Sequence, residues 1–103
     1  MEKLDEDLPE PECEHETIQQ QIACDIQSEI FAEWDFASKK FGPFHSSHEG
    51  FAVLHEEFDE LKAEVWKNGT KHPDRDANMR KEAVQVAAMA LRFLTDCCQE
   101  KTK

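Results

Sequence analysis

The sequence predicts an all-α protein with three main antiparallel helices. Apolar residues recur at spacings of three and four in three separate segments, which is the period of a one-faced helix. No segment shows the two-residue alternation of a half-buried strand. With 103 residues there is room for one folded domain, which we place over residues 17–103.

The first helix is predicted over residues 17–41, and its end is signalled by Gly42 and Pro43. Glycine tolerates the left-handed cap conformation, and proline cannot continue the hydrogen-bond ladder. The apolar face of this helix consists of Ile22, Ala23, Ile26, Ile30, Trp34, Ala37 and Phe41.

The second helix is predicted to follow Ser46, which forms a capping-box pattern with Glu49 three residues later. The helix should stop before Asn68 and Gly69, which are typical of turns. A single apolar stripe runs between these signals, formed by Phe51, Leu54, Phe58, Leu61 and Val65.

The third helix is predicted over residues 79–99, after a polar loop at 70–78 in which Asp76 and Asn78 are candidate N-caps. Its apolar residues cover a broad arc of the helix surface. Three such helices cannot shield one another fully. We therefore expect a homo-oligomer, a dimer or a tetramer, that completes a four-helix-bundle core.

Most of the excess negative charge lies at the N-terminus. Residues 1–16 contain eight acids against Lys3, and the whole chain carries a formal charge of −11. Their composition predicts an acidic disordered tail. The remaining basic residues are dispersed, which argues against nucleic-acid binding but leaves enough positive charge for one small phosphorylated ligand.

Membrane insertion and secretion are not expected. No stretch approaches 18 consecutive apolar residues, and acids occupy the N-terminus where a signal peptide has basic and then apolar residues. We expect a cytoplasmic location. The four cysteines show no CxxC spacing, and we interpret them as reduced thiols.

Helix two carries a ridge of carboxylates that suggests a metal site. Glu57, Glu60 and Glu64 project to the same side, and Glu82 of helix three lies among apolar residues, where a carboxylate needs a partner. A solvated acidic face is the alternative. Carboxylate oxygens suit Mg²⁺, whereas Zn²⁺ prefers clustered His or Cys ligands, which this chain lacks.

The segments HEGFAVLHEEFDELKAEVW at 48–66 and RKEAVQVAAMALRFLTD at 80–96 resemble the two motif helices of the MazG-like family. This family belongs to the all-α nucleoside-triphosphate pyrophosphatases. Its EExxE motif is matched by Glu56, Glu57 and Glu60. The start of its ExxD motif is matched by Glu82, but Gln85 stands where the family has an aspartate.

The resemblance implies Mg²⁺-dependent hydrolysis of a nucleoside triphosphate to monophosphate and pyrophosphate, a house-cleaning reaction of the nucleotide pool. Mn²⁺ would be a possible substitute. It implies Glu56 and Glu57 as catalytic residues. It also implies Glu57, Glu60, Glu82 and Gln85 as the metal-binding set.

For the substrate, the resemblance points to the first helix and the start of the second, where Trp34 and His48 lie, and Arg80 and Lys81 could offset phosphate charge. Trp34 lies on the apolar face of helix one, so a purely structural role is the alternative. The alternative function is a non-catalytic nucleotide-binding or protein-interaction module, because an amide at Gln85 is a weaker ligand than a carboxylate.

Overall fold

The computed structural model of the protein describes residues 17–99, and the acidic segment 1–16 lies outside them. The described part contains three α-helices and no β-strand. They are α1 (Ile18–Phe41), α2 (Ser47–Val65) and α3 (Arg75–Cys97). The predicted all-α class with three main helices is therefore confirmed.

Both ends of α1 are fixed by local hydrogen bonds. At the start, the Gln20 backbone N–H donates to Thr17 Oγ1 at 3.1 Å, and the Thr17 N–H donates to Gln20 Oε1 at 2.9 Å, which completes a capping box. At the end, Gly42 adopts a φ of 74° and donates to Ser38 O at 2.9 Å. The predicted stop at Gly42 and Pro43 is confirmed.

The N-terminus of α2 forms half of the predicted capping box. Ser46 Oγ accepts a hydrogen bond from the Glu49 backbone N–H at 3.1 Å. The Glu49 carboxylate does not bond the Ser46 backbone, because it accepts from the N–H of His45, one residue further back. The helix nevertheless begins where the pattern predicts.

The start of α3 differs from the prediction. The helix begins at Arg75 after the N-cap Asp74, whose side chain makes no capping bond, so Asp76 and Asn78 lie inside the helix and are not caps. Arg75 Nη2 donates to Val65 O at 2.9 Å. This bond ties the first turn of α3 to the last residue of α2, a tertiary contact that a search for local caps misses.

The central element is α3, which packs against both α1 and α2, while α1 and α2 do not pack on each other. The buried apolar residues at this junction are Ala37 of α1 with Ala88 and Met89 of α3. Four partly buried apolar residues pack around them, namely Ile30, Trp34, Val53 and Leu54. The broad apolar arc of helix three agrees with this central position.

Much of the large apolar surface of the described chain is uncovered. No large side chain there is fully buried, and ten large hydrophobic residues are exposed. They are Ile18, Ile22, Phe31, Phe36, Phe41, Phe51, Phe58, Val65, Trp66 and Leu94. Apolar exposure on this scale is typical of a surface that binds another molecule.

The cysteines are only partly as predicted. Cys97 and Cys98 are free thiols. Cys24 is disulfide-bonded, so the interpretation of all four cysteines as thiols is wrong.

No helix within residues 17–99 has the length and apolarity needed to cross a bilayer.

Candidate functional site

Three carboxylates from two helices meet at the contact between α2 and α3. Glu57 and Glu60 lie one turn apart on α2, and Glu82 lies on α3. Each offers one oxygen atom, and the three oxygens lie within 4.8 Å of one another. The structure therefore brings together three of the four residues in the predicted metal-binding set; we call them the carboxylate cluster.

The cluster holds more negative charge than its surroundings neutralise. Burial, followed by the charges of Glu60 and Glu82, raises the pKa of Glu57 to about 7. Burial and the charge of Glu60 also raise the pKa of Glu82, against which Lys81 acts weakly in the opposite direction. Glu60 hydrogen-bonds both neighbours. Either a shared proton or a bound cation would relieve the repulsion.

Glu64, the third member of the predicted ridge on helix two, has a partner of its own. Its Oε2 accepts from Lys67 Nζ at 2.9 Å, and this hydrogen bond is the main reason that the pKa of Glu64 is lowered. Glu64 still adds to the negative potential at Glu82, whose pKa it raises slightly. It is therefore a neighbour of the cluster and not a member.

The donor atoms of the cluster fit a hard divalent cation. All three are carboxylate oxygens, the ligand type that Mg²⁺ and Mn²⁺ prefer, and the cluster contains no His or Cys of the kind that Zn²⁺ selects. Two of the residues are half-buried and Glu60 is exposed. Three carboxylate oxygens are fewer than the six ligands of the octahedral set that Mg²⁺ prefers.

A groove of about 390 Å³ begins beside the cluster and runs between α1 and α2 with α3 as its floor. Glu56, Glu57 and Gln85 line it next to the cluster. Phe44 and Arg92 line it where the turn after α1 covers α3. Its volume lies within the usual range for small-molecule sites, about 300–1,000 Å³.

Gln85, the fourth predicted metal ligand, lies one turn after Glu82 on α3 and is half-buried. Its side chain lines the groove and makes no hydrogen bond with any other residue of the described chain. Glu56, the predicted base, is exposed and lines the same part of the groove. Both residues therefore face the space next to the cluster.

The predicted substrate-binding residues lie outside this groove. Trp34 packs on the core, and its Nε1–H donates to Thr95 Oγ1 at 3.3 Å, which favours the structural alternative. His48 is exposed at the start of α2. Arg80 forms a two-pronged ion pair with Glu29. Together with Lys81 it lines an adjoining depression, which shares Glu33 and Gln85 with the groove.

Arg92 is a residue of the groove that the sequence patterns did not predict. It is a charged residue that is only 3% exposed, and it lines the groove ten positions after Glu82 on the same helix. The signal in the sequence is a single arginine inside an apolar run, MALRFL at 89–94. A charge at such a position is rarely buried unless it is paired.

No family model, curated protein or solved structure matches this chain. The MazG-like resemblance therefore depends on the residues of the two motif segments, 48–66 and 80–96. Independently of that resemblance, the structure places carboxylates from both segments within reach of one another.

Proposed function

We propose that the protein is a magnesium-dependent nucleoside-triphosphate pyrophosphohydrolase that releases a nucleoside monophosphate and pyrophosphate. The observation that carries this proposal is the convergence of Glu57, Glu60 and Glu82 beside a groove of nucleotide size. Clearing unwanted nucleotides in the cytoplasm is part of the same proposal.

In this proposal Glu57, Glu60 and Glu82 hold Mg²⁺, with Mn²⁺ as a substitute, and Gln85 adds a neutral oxygen. The cation supplies Lewis acidity toward phosphate oxygens and lowers the pKa of bound water. Support comes from the charge of the cluster, because three carboxylates whose oxygens lie within 4.8 Å gain stability when a cation replaces their shared protons.

Glu56 is proposed to act as the general base. Its carboxylate is exposed and lines the groove next to Glu57, so it can accept a proton from a water molecule that attacks the phosphate chain. Lys81, exposed and close enough to Glu82 to influence its pKa, is the proposed counter-charge for the phosphates. Arg80 would have to break its ion pair with Glu29 before it could offset phosphate charge.

We also propose that the protein functions as a homo-oligomer. Three exposed residues, Phe51, Phe58 and Leu94, lie on the outer side of the α2 and α3 pair. A largely apolar depression on this side is lined by Leu54, Val86 and Ala90, with His55 as its one titratable residue. A second copy would cover this face. Light scattering should give a mass of at least twice 11.9 kDa; a stable folded monomer at micromolar concentration would contradict it.

A non-catalytic nucleotide-binding or protein-interaction module is the second candidate. The observation that favours it is Gln85, an amide with no hydrogen-bond partner in the described chain at the position where a fourth carboxylate would strengthen the metal site. Such a module would bind nucleotide but would not release pyrophosphate. Hydrolysis therefore separates the two candidates.

The test is pyrophosphate release from a panel of common nucleoside triphosphates, with Mg²⁺ and with EDTA. We expect Mg²⁺-dependent turnover that falls at least about 100-fold in Glu60→Gln, because a ligand of the metal is lost. Asp59→Asn is the matched control, since Asp59 is an exposed neighbour outside the cluster. Equal activity in the two variants, or none in the wild type, would contradict the proposal.

A further inference from the structure

Arg92 is a buried cation without a carboxylate partner. Its guanidinium lies over the ring of Phe44, 4.2 Å from the centroid, and its Nη2–H donates to Gly42 O at 2.7 Å. Its Nη1 reaches only Met89 Sδ, at 3.6 Å, and its Nε has no hydrogen-bond partner. No carboxylate of the described chain lies within 4.0 Å of it.

Holding the turn after α1 explains only part of the role of this arginine. The stack on Phe44 is a contact that arginine makes better than lysine, but it uses the face of the guanidinium and not its N–H donors. The bond to Gly42 O uses one of five N–H donors, and a lysine could make it. Burying a guanidinium whose other donors lack good acceptors lowers the stability of the folded protein. Because the same side chain lines the groove, a ligand in the groove can accept from the free donors.

The acidic residues of the groove indicate which kind of ligand group can accept hydrogen bonds from Arg92. Four acids, Glu33, Glu49, Glu56 and Glu57, line the groove. The pKa of Glu49 is lowered by its backbone hydrogen bond from His45 and also by the charge of Arg92, so the Arg92 charge is already partly balanced and attracts an anion little. A neutral group is therefore a better ligand for the guanidinium. A carbonyl oxygen of a planar ring suits it, because the flat fork of arginine pairs with in-plane acceptors.

We infer that Arg92 recognises the base of the nucleotide by donating a hydrogen bond to a ring carbonyl. Guanine, uracil, thymine and cytosine are therefore bound in preference to adenine. This inference rests on the proposed function, which brings a nucleotide into the groove. Adenine has no carbonyl. Its ring nitrogens N1 and N7 can each accept one hydrogen bond, but the amino group beside them presents a donor to the other N–H groups of a residue that can only donate. The structure thus assigns Arg92 as the specificity-determining residue.

The spacing along α3 fits this assignment. Ten residues separate Glu82 from Arg92, which corresponds to about 15 Å along the helix axis. One nucleotide can span that separation with its phosphates at the carboxylate cluster and its base at Arg92. The groove runs along α3 between the two, past Gln85 and Met89.

The test is calorimetric binding of nucleosides to the full chain in EDTA, which separates base recognition from the metal and from hydrolysis. Guanosine and uridine should bind about tenfold or more tightly than adenosine, since one paired carbonyl gives discrimination of that order. Arg92→Lys should remove most of this preference, because lysine keeps the charge and the bond to Gly42 but lacks the fork.

Arg75→Lys is the matched control. Arg75 also donates to a backbone carbonyl, Val65 O, but it lies outside the groove, so this variant should keep the wild-type preference. Adenosine binding as tightly as guanosine and uridine, no nucleoside binding at millimolar concentration, or an unchanged preference in a folded Arg92→Lys would each overturn the inference. Absent hydrolysis would overturn only the proposed function, because nucleosides carry no phosphate.

Discussion

The two regions of the groove present opposite electrostatic problems on the same helix. Beside Gln85, three carboxylate oxygens lie within 4.8 Å of one another, and burial, followed by mutual repulsion, raises the pKa of Glu57 to about 7. Near the turn after α1, Arg92 is buried with no carboxylate within 4.0 Å. Its charge contributes to the lowered pKa of Glu49 only after the larger effect of the hydrogen bond from the His45 backbone. An ordinary structural network would pair such charges with each other.

They cannot pair, because about 15 Å of α3 separates Glu82 from Arg92. Each region therefore retains unsatisfied binding capacity, one for a cation and the other for a neutral acceptor. Perturbed groups of this kind concentrate at functional sites. Under the proposed function, one ligand with a metal-bound phosphate chain and a carbonyl-bearing ring would satisfy both regions at once.

The largest effect should come from filling the carboxylate cluster. Millimolar Mg²⁺ or Mn²⁺ should raise the melting temperature, because a ligand that binds only the folded state adds about 2.7 kcal/mol at a hundredfold excess over its Kd. Calorimetry or circular dichroism, before and after addition of EDTA, measures the shift.

Variants locate the origin of that shift. Glu60→Gln and Glu82→Gln should each abolish it while keeping the helical content, whereas Asp59→Asn should retain it, since Asp59 is outside the cluster. If both Glu→Gln variants still respond to the metal, the carboxylates are a solvated acidic face and the metal site does not exist.

The stability of the region around Arg92 should depend on close packing more than that of the carboxylate cluster does. A Cβ at Gly50 would lie 2.8 Å from Phe93 Cδ1 and 3.0 Å from Phe44 Cδ2, the ring on which Arg92 stacks. Gly50→Ala should lower the free energy of unfolding by about 1–2 kcal/mol, because overpacking outweighs the gain in helix propensity.

The control for that substitution is Gly69→Ala, where the nearest atom to a new Cβ is Arg75 Cδ at 3.8 Å. Urea unfolding should show little change in this variant. Since Gly50 lies away from the carboxylate cluster, the Mg²⁺ shift should survive in Gly50→Ala; its loss would show that the two regions are not independent.

Sequence patterns predicted the parts of this molecule that depend on local chemistry. The stop at Gly42 follows from its own backbone conformation, and the meeting of Glu57 and Glu60 follows from helical spacing. The start of α3 was misplaced because Arg75 bonds the end of α2, a contact between elements. Arg92 was missed because its burial depends on how the turn and α3 pack together.

A third, smaller effect is the change in folding stability with pH. The pKa of Glu57 in the folded protein, about 7, lies above its ordinary value of 4.5, so its protonated form favours folding. Its contribution is fully present below pH 4.5 and is lost as the pH rises through 7. Without metal, stability should therefore fall between pH 5 and pH 8.

Glu57→Gln isolates this contribution, because glutamine resembles the protonated acid and does not titrate. At pH 8 in EDTA the variant should be more stable than the wild type by on the order of 1 kcal/mol, or about 4–8 °C in Tm. At pH 5 the two should nearly coincide. A constant difference across this range would assign the effect to packing. Arg92→Lys should leave the slope unchanged.

The smallest expected effect is also the most specific to the cluster, and it concerns Gln85. Gln85→Asp adds a carboxylate one turn after Glu82, so Mg²⁺ should bind about threefold more tightly, or roughly 0.7 kcal/mol. The same charge should lower Tm in EDTA, because it adds repulsion near Glu57. Tighter metal binding combined with lower metal-free stability is a pair of changes that improved packing cannot produce.

Gln85→Leu is the control and should weaken metal binding slightly. If Gln85→Asp changes neither quantity, Gln85 lies too far from the cation to be a ligand, and the metal-binding set reduces to Glu57, Glu60 and Glu82.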